Sequence, residues 1–409
     1  MSLNAAPSAD RTHIGIFGKR NAGKSSIINA ITSQNLAIVS DIKGTTTDPV
    51  QKAMELLPLG PVVLIDTPGL DDEGELGALR IQKAYQVLNK TDIAVLVVDY
   101  GTGITAEDQK ILDKIRDKRI PYVVVFNKSD LYRNQQNADT VKEKEISETV
   151  SPQNCIAVSA VTGEKIWELK ELIAKQIPSC HAEKHIVADL IQPNDFVVLV
   201  IPIDSAAPKG RLILPQQQTI RDILEAGATA IAVRETELPE TLARLGTKPS
   251  LVITDSQAFE KVAADVPENI PLTSFSILFA RYKGNLKTVV QGAAVLDTLQ
   301  DGDNILICEG CTHHRQCEDI GTVKLPGWIR KHTGKELHFA FTSGTEFPVD
   351  LSKYRLVIHC GGCTLNEREM KYRMQCAIDQ GIPMTNYGTA IAHMHGILNR
   401  SIEPFPELI

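Results

Sequence analysis

Gly18-Lys19-Arg20-Asn21-Ala22-Gly23-Lys24-Ser25 follows the β-rich run HIGIF at 13–17 and leads into a stretch of helical character. Strand, G-x-x-x-x-G-K-S loop and helix are the context in which such a loop wraps phosphate. The glycines let the backbone approach closely, and the loop amides and helix N-terminus favour negative charge. Lys24 reaches the terminal phosphates and Ser25 supplies a hydroxyl to Mg²⁺. Gly18, Asn21, Ala22, Gly23 and Ser26 complete the expected contacts. A Gly-rich turn opening a helix would explain the octapeptide alone, so the residues that follow decide the reading.

Working outward, Asp66-Thr67-Pro68-Gly69 comes directly after the apolar run Val62 to Ile65. That places a carboxylate at a strand end, where it can hold Mg²⁺ through water, and leaves room at Gly69 for an amide to meet the γ-phosphate. Asn127-Lys128-Ser129-Asp130 follows PYVVVF. Its Asp130 carboxylate can accept from both the N1–H and the 2-amino group of guanine, a pair that adenine lacks. Ser159-Ala160 after CIAV would back the base with a main-chain amide. Four such segments in this order, each at a strand end, exclude the bland reading and name GTP as the nucleotide. Between the first two lies Gly44-Thr45-Thr46-Thr47-Asp48, where Thr46 is the choice to complete the Mg²⁺ shell. Lys24, Thr46 and Gly69 are the expected catalytic set.

This set resembles the TrmE–Era class of GTPases. Leu70 stands where many signalling GTPases carry a water-orienting glutamine, so the resemblance implies hydrolysis by another element. Asn21 matches the loop asparagine that ligates K⁺ in potassium-activated members, which implies K⁺ activation here. Glu73 or Glu75 is a candidate to orient water, or else part of a solvated acidic loop.

The 409 residues allow two to four domains. Forty-three Lys+Arg against 50 Asp+Glu leave a formal charge of −7, which gives no global field for holding a polyanion and disfavours nucleic acid. The longest apolar runs, Phe196 to Ile201 and Ile93 to Val98, are strand-length, so no membrane span is expected. The opening MSLNAAPSAD lacks the flank and centre of a secretion signal, and a cytoplasmic location with reduced thiols follows as an expectation.

The expected fold is α/β in three domains. Residues 11–178 form a P-loop GTPase with a mostly parallel sheet, and Ile177-Pro178-Ser179 supplies a linker. Residues 185–265, with FVVLVIPID, ATAIAV and SLVITD as strands, form a small α/β domain. That segment has neither a phosphate loop nor an ionisable cluster, and so suits an interaction or dimerisation role. Residues 269–409 repeat the pattern with DNILICEG, LHFAFTSG and RLVIHCGG, followed by an amphipathic stretch from Asn366 to Gln380.

Five of the eight cysteines fall between 308 and 363. Cys311-Thr312-His313 and His359-Cys360-Gly361-Gly362-Cys363 sit at the ends of two predicted strands. Soft thiolates there, with glycines letting the backbone curl, suit zinc or an iron–sulfur cluster, and spacing alone does not choose. Cys308 and Cys311 make a second C-x-x-C, but 48 residues then separate Cys311 from Cys360, too many for a four-cysteine ribbon. Strand alternation points Cys308 away from Cys311 and gives it a core role first, with ligation as the second reading. Glu309 reads as an oxygen ligand or, more simply, a solvated turn residue. Cys155, Cys180, Cys317 and Cys376 match no motif position.

The order of G domain, small α/β domain and C-x-H…H-C-x-x-C resembles the [FeFe]-hydrogenase maturation GTPases, the HydF family, over essentially the whole chain. The resemblance implies a dimerising middle domain and a C-terminal α/β domain holding a [4Fe–4S] cluster through Cys311, Cys360 and Cys363, with the fourth iron open or exchangeably ligated. His313 and His359 are then weak fourth ligands or donors around the cluster, or ordinary strand-end histidines. It also implies the family's work: a GTP-hydrolysing scaffold that receives a transient 2Fe subcluster precursor made with the radical-SAM maturases HydE and HydG. Delivery is to the apo-[FeFe]-hydrogenase, from a homodimer or higher assembly. The alternative is an Era- or TrmE-like GTPase acting on ribosome or tRNA, with structural zinc.

Overall fold

The computed structural model describes residues 8–32, 50–69, 84–132, 150–177, 184–203, 212–310, 319–344 and 346–405. Thr46, Leu70, Glu73, Glu75, Cys180, Cys311, His313 and Cys317 lie outside the described residues. The chain divides into two compact units, Met1–His181 and Ala182–Ile409.

In the first unit, β-branched and apolar runs form β1 (Thr12–Phe17), β2 (Val50–Leu56), β3 (Gly60–Asp66), β4 (Ile93–Asp99), β5 (Tyr122–Asn127) and β6 (Cys155–Ala157). Their order is β2-β3-β1-β4-β5-β6, with β2 antiparallel to β3 and every other pair parallel. The near-continuous apolar composition of β1, β3, β4 and β5 follows from burial on both faces. Ile14, Ile16, Val95 and Val125 pack toward the helices Lys24–Thr32 and Ile166–Lys175. Phe17, Leu96 and Phe126 pack toward Ala106–Asp117 on the other face. β2 alternates half-buried with exposed residues, as an edge strand does. From β1 the sheet grows first toward β3 and then, on the other side, toward β4. The carboxyl end of β1 is therefore a topological switch point, the place where an open α/β sheet leaves a crevice for ligands.

Among the described residues the second unit has two four-stranded sheets, both wholly parallel. The first has order β10-β9-β7-β8, from β7 (Phe196–Val200), β8 (Thr229–Val233), β9 (Leu251–Thr254) and β10 (Leu272–Ser274). The second has order β12-β11-β13-β14, from β11 (Asn304–Cys308), β12 (His338–Thr342), β13 (Leu356–His359) and β14 (Met384–Asn386). β10 pairs with β9, so the middle sheet runs past residue 265, where the sequence reading ends that domain. The two sheets also share one core: Val198, Phe259 and Phe279 belong to the same buried cluster as Leu306, Val357 and Met374.

Loops leaving the strands are fixed by side-chain caps. Ser274 accepts from the Ile277 amide at the start of Phe275–Lys283, and Asn386 from the Thr389 amide at the start of Tyr387–Met394. Asn366 does the same for Glu367–Asp379, the stretch whose amphipathic spacing marks a helix. The chain leaves β11 toward β12 on one side and later returns as β13 on the other, making the β11/β13 ends a second switch point. No described helix is long and apolar enough to cross a membrane.

Candidate functional site

In the first unit the loop after β1 turns back on itself because Gly18 and Gly23 adopt φ +142° and +94°. A Cβ at Gly23 would run into Asn127 Nδ2, and one at Gly18 into the Val97 carbonyl. Lys24 Nζ donates to the Gly18 and Lys19 carbonyls at 2.9 and 2.8 Å, which holds its charge inside the loop. Ser25 Oγ lies 3.5 Å from Asp66 Oδ2. Burial lifts the Asp66 pKa above the ordinary carboxylate value, against the lowering pull of Lys24 and Ser25. Its Oδ1 is enclosed with no hydrogen-bond partner. A buried oxygen in that state beside a hydroxyl fits a divalent cation, so the donor set suits Mg²⁺. Ser26 is exposed and Gly69 half-buried, while Asn21 stands exposed at φ +62°.

Asn127 is buried and ties three segments together. Its Nδ2 donates to the Ala22 carbonyl and its Oδ1 accepts from the Ala160 amide, both at 3.1 Å. Phosphate loop and Ser159-Ala160 loop are thus set by one side chain, and Ser159 Oγ accepts from the Thr162 amide. Lys128 opens the next turn at φ +68° and pairs with Asp99 at 2.7 Å. Burial raises the Asp99 pKa, but the Lys128 and Gly101 hydrogen bonds outweigh it and leave the carboxyl lowered. Asp130 Oδ1 is enclosed without a partner, which is what a carboxylate kept for a base edge requires.

In the second unit Cys308 and His359 are register partners at the ends of β11 and β13, and Cys360 follows. Cys360 Sγ accepts from the Gly310 amide at 3.0 Å and the Gly362 amide at 3.4 Å. Thr364 Oγ1 donates to the Gly310 carbonyl at 2.9 Å, closing the loop after β11 onto the loop after β13. Gly362 takes φ +63°, and a Cβ there would collide with the Met370 thioether. Beside Cys360 and Gly361 is a small cavity walled by Met370, Met374, Met384 and Asn386. Burial pushes the Cys360 thiol up to about 11, although two amides aimed at the sulfur favour its anion. A metal replaces the proton of such a thiol at neutral pH, so Cys360 and Cys363 on a curled backbone fit a thiolate-held centre. Cys308 is fully buried and its thiol is pushed up to about 12 by burial.

Both ring nitrogens of His359 are engaged. Nδ1 meets the Cys360 carbonyl at 2.7 Å and Nε2 meets Arg373 Nη1 at 3.0 Å, so the ring is a neutral Nδ1–H tautomer with its Nε2 accepting. Burial and then the Arg373 charge depress its pKa to about 3. As placed, His359 orients the Cys360 backbone and has no nitrogen left for a metal. Glu309 corrects an expectation: it is buried rather than a solvated turn residue, with Tyr387 Oη 3.4 Å from its Oε1. Gly321 makes this possible, since a Cβ there would strike both Tyr387 Oη and the Glu309 carboxylate.

Sequence reasoning missed Lys283 and Arg373. Lys283 is buried and donates to the carbonyls of Gly362, Cys363 and Leu365 at 3.4, 3.1 and 2.9 Å. It sits in the last turn of Phe275–Lys283 beside Arg281, and a pair of cations ending a helix reads as ordinary C-terminal charge, so the sequence carries no signal that Lys283 is buried. Lys283→Met is expected to lower stability by about 2–3 kcal/mol, as three loop carbonyls lose a charged donor. Amide exchange across residues 362–365 should quicken with it; unchanged exchange would show that the loop holds itself.

The chain is similar to several known proteins. Residues 13–128 match the family model described as 50S ribosome-binding GTPase. The tRNA modification GTPase MnmE of Desulforamulus reducens is 34% identical over 163 residues, 40% of this chain and 34% of that protein. GTPase Der of Mycoplasma mycoides is 31% identical over 197 residues, 46% of this chain and 45% of that protein. The chain thus spans between a third and a half of the length of these relatives. Among solved structures, Era of Aquifex aeolicus aligns at a TM-score of 0.37 and 19% identity, over 57% of this chain and 98% of Era. Residues 186–284 match the hydrogen maturase F dimerization domain, and 287–404 match the hydrogen maturase F tetramerization domain. With more than half of its length in those two domains and a GTPase domain ahead of them, the chain belongs to the hydrogen maturase F family.

Proposed function

We propose that this chain is a GTP-hydrolysing scaffold and carrier that assembles the 2Fe subcluster of the [FeFe]-hydrogenase and delivers it to the apo-enzyme. The single observation that supports this most is the Cys360 sulfur, which receives two backbone amides at the β11/β13 switch point. Cys360 and Cys363, with Cys311 from the segment after β11, would hold a [4Fe–4S] cluster, and three cysteines leave one corner for exchangeable ligation. The cluster when bound supplies an iron able to accept a donor from the carried precursor. His359 and Arg373 orient the Cys360 backbone, Lys283 holds the loop carbonyls, and the methionine-walled cavity limits water.

In the first unit the loop amides and Lys24 would bind the phosphates, Ser25, Thr46 and Asp66 would hold Mg²⁺, and Asp130 would select guanine. Asn21 would ligate an activating K⁺. Hydrolysis would regulate docking of HydE, HydG and the apo-hydrogenase on an oligomer of this chain in the cytoplasm.

The experiment is an anaerobic preparation analysed for iron, sulfide and zinc. Wild type should carry iron and sulfide with broad visible absorption, and Cys360→Ala should lose it while keeping GTP hydrolysis. Stoichiometric zinc without sulfide would overturn the carrier reading and favour a ribosome- or tRNA-acting GTPase.

A further inference from the structure

A set of side chains able to hold a metal ion, none of them a cysteine, comes together from three segments of the second unit. Asp297 belongs to the short helical segment Ala294–Thr298, His332 to the last turn of Leu325–Thr333 and His393 to the last turn of Tyr387–Met394. His332 Nε2 is 2.8 Å from Asp297 Oδ1, and His393 Nε2 is 2.9 Å from Asp297 Oδ2. The two rings stand edge to face with centroids 5.9 Å apart. All three donor atoms fall within 4.8 Å of one another.

From these contacts we propose that Asp297, His332 and His393 form a mononuclear site for a divalent first-row ion of the Zn²⁺ class, with one coordination position open to solvent. Two imidazoles and a carboxylate are a donor set that such ions favour, and three protein ligands with a vacant fourth place form an open site. Bonds of about 2.0–2.1 Å put the ligand atoms of a tetrahedral ion roughly 3.3–3.4 Å apart, so only small side-chain rotations separate the present contacts from coordination. The backbone under each ligand is anchored, because Leu296, Ile329 and Ile391 are neighbours of the ligands in sequence and all sit in one buried cluster. Both histidines stand at helix carboxyl ends, where the last carbonyls favour positive charge. The hydrogen bond from His332 leads the causes that lower the Asp297 pKa, so the carboxylate is ionised and ready to ligate. Its side chain is 55% exposed, which leaves the outer face of the site to water. Separations of 35 and 61 residues between the three ligands hide the set from any linear motif.

The test uses the full chain prepared anaerobically with its cysteines loaded and with Mg²⁺ and GDP present. Zn²⁺ is titrated against a competing chelator dye in wild type, His332→Gln, His393→Ala and Asp297→Asn. Wild type should bind one additional zinc, each variant should bind it at least about tenfold more weakly, and iron content and GTP hydrolysis should not move. Zinc absorption spectroscopy should show imidazole and oxygen scattering without sulfur. The inference is overturned if wild type takes up no extra zinc, if the exposed His332→Gln binds it like wild type, or if the shell contains sulfur. A loss of thermal stability in the variants that is the same with and without zinc would likewise reduce the trio to hydrogen bonds.

Discussion

Asp130→Asn should weaken GDP and GTP binding by about 10²–10⁴-fold and shift preference toward xanthine nucleotides. The wild-type carboxylate has an enclosed Oδ1 with no partner, on a turn fixed by the Ser129 amide donating to the Val158 carbonyl at 3.1 Å. Guanine would supply two donors to that carboxylate, each hydrogen bond to the charged group contributing about 1.5–3 kcal/mol. An amide in its place keeps one acceptor for N1–H but turns an N–H toward the 2-amino group, donor against donor. Xanthine has a carbonyl at that position and restores the pair. Competition between GDP and xanthosine diphosphate for a fluorescent nucleotide measures the exchange. Unchanged GDP affinity would remove Asp130 from base recognition and with it the guanine assignment.

The two sites differ in how much of them the sequence carries, and the reason is chain distance. The phosphate loop, Asp66 and the Asn127–Asp130 turn are each local: a strand, then a few residues whose conformation and chemistry lie within one segment. Their meeting follows from a parallel sheet that collects strand ends on one edge. The cysteine site depends instead on what surrounds it. Gly310 offers an amide to Cys360 across 50 residues, Lys283 reaches the 362–365 loop across about 80, and Asn386 bonds Ser276 across 110. None of these leaves a spacing to read. Glu309 followed by Gly310 resembles an exposed turn until Tyr387 and Gly321 close around it. The extent of the middle sheet beyond residue 265 is hidden for a related reason. β10 has only three residues, Leu272–Ser274, and a strand that short is set by its partner β9 rather than by its own pattern.

Arg373→Met should cost about 3–5 kcal/mol, the range for breaking a buried ion pair by removing one partner. Arg373 is fully buried, with Nε 2.9 Å from Glu369 Oε1, Nη1 3.0 Å from His359 Nε2 and Nη2 2.7 Å from the Gly344 carbonyl. Methionine fills much of the space but leaves a buried carboxylate, an imidazole nitrogen and a carbonyl without a donor. Trp328 packs against the second unit's core, so its fluorescence in a Trp167→Phe background follows urea unfolding of that unit alone. A change below about 1 kcal/mol would mean that water replaces the guanidinium at all three acceptors. The same residue sets an acid response whose sign follows from His359. Its folded pKa of about 3 lies below the unfolded value, so both states are neutral at pH 7.5 and the group adds no slope there. Below pH 6.5 the unfolded chain takes up a proton that the folded chain refuses, and stability falls by up to about 1.4 kcal/mol per pH unit, reaching about 2 kcal/mol at pH 5. Removing Arg373 takes away the second cause of the depression, so the variant starts less stable but loses less on acidification. Equal slopes in wild type and variant between pH 7.5 and 5 would leave burial alone to hold His359 neutral, and Arg373 would then matter to Glu369 and Gly344 but not to the tautomer that orients Cys360.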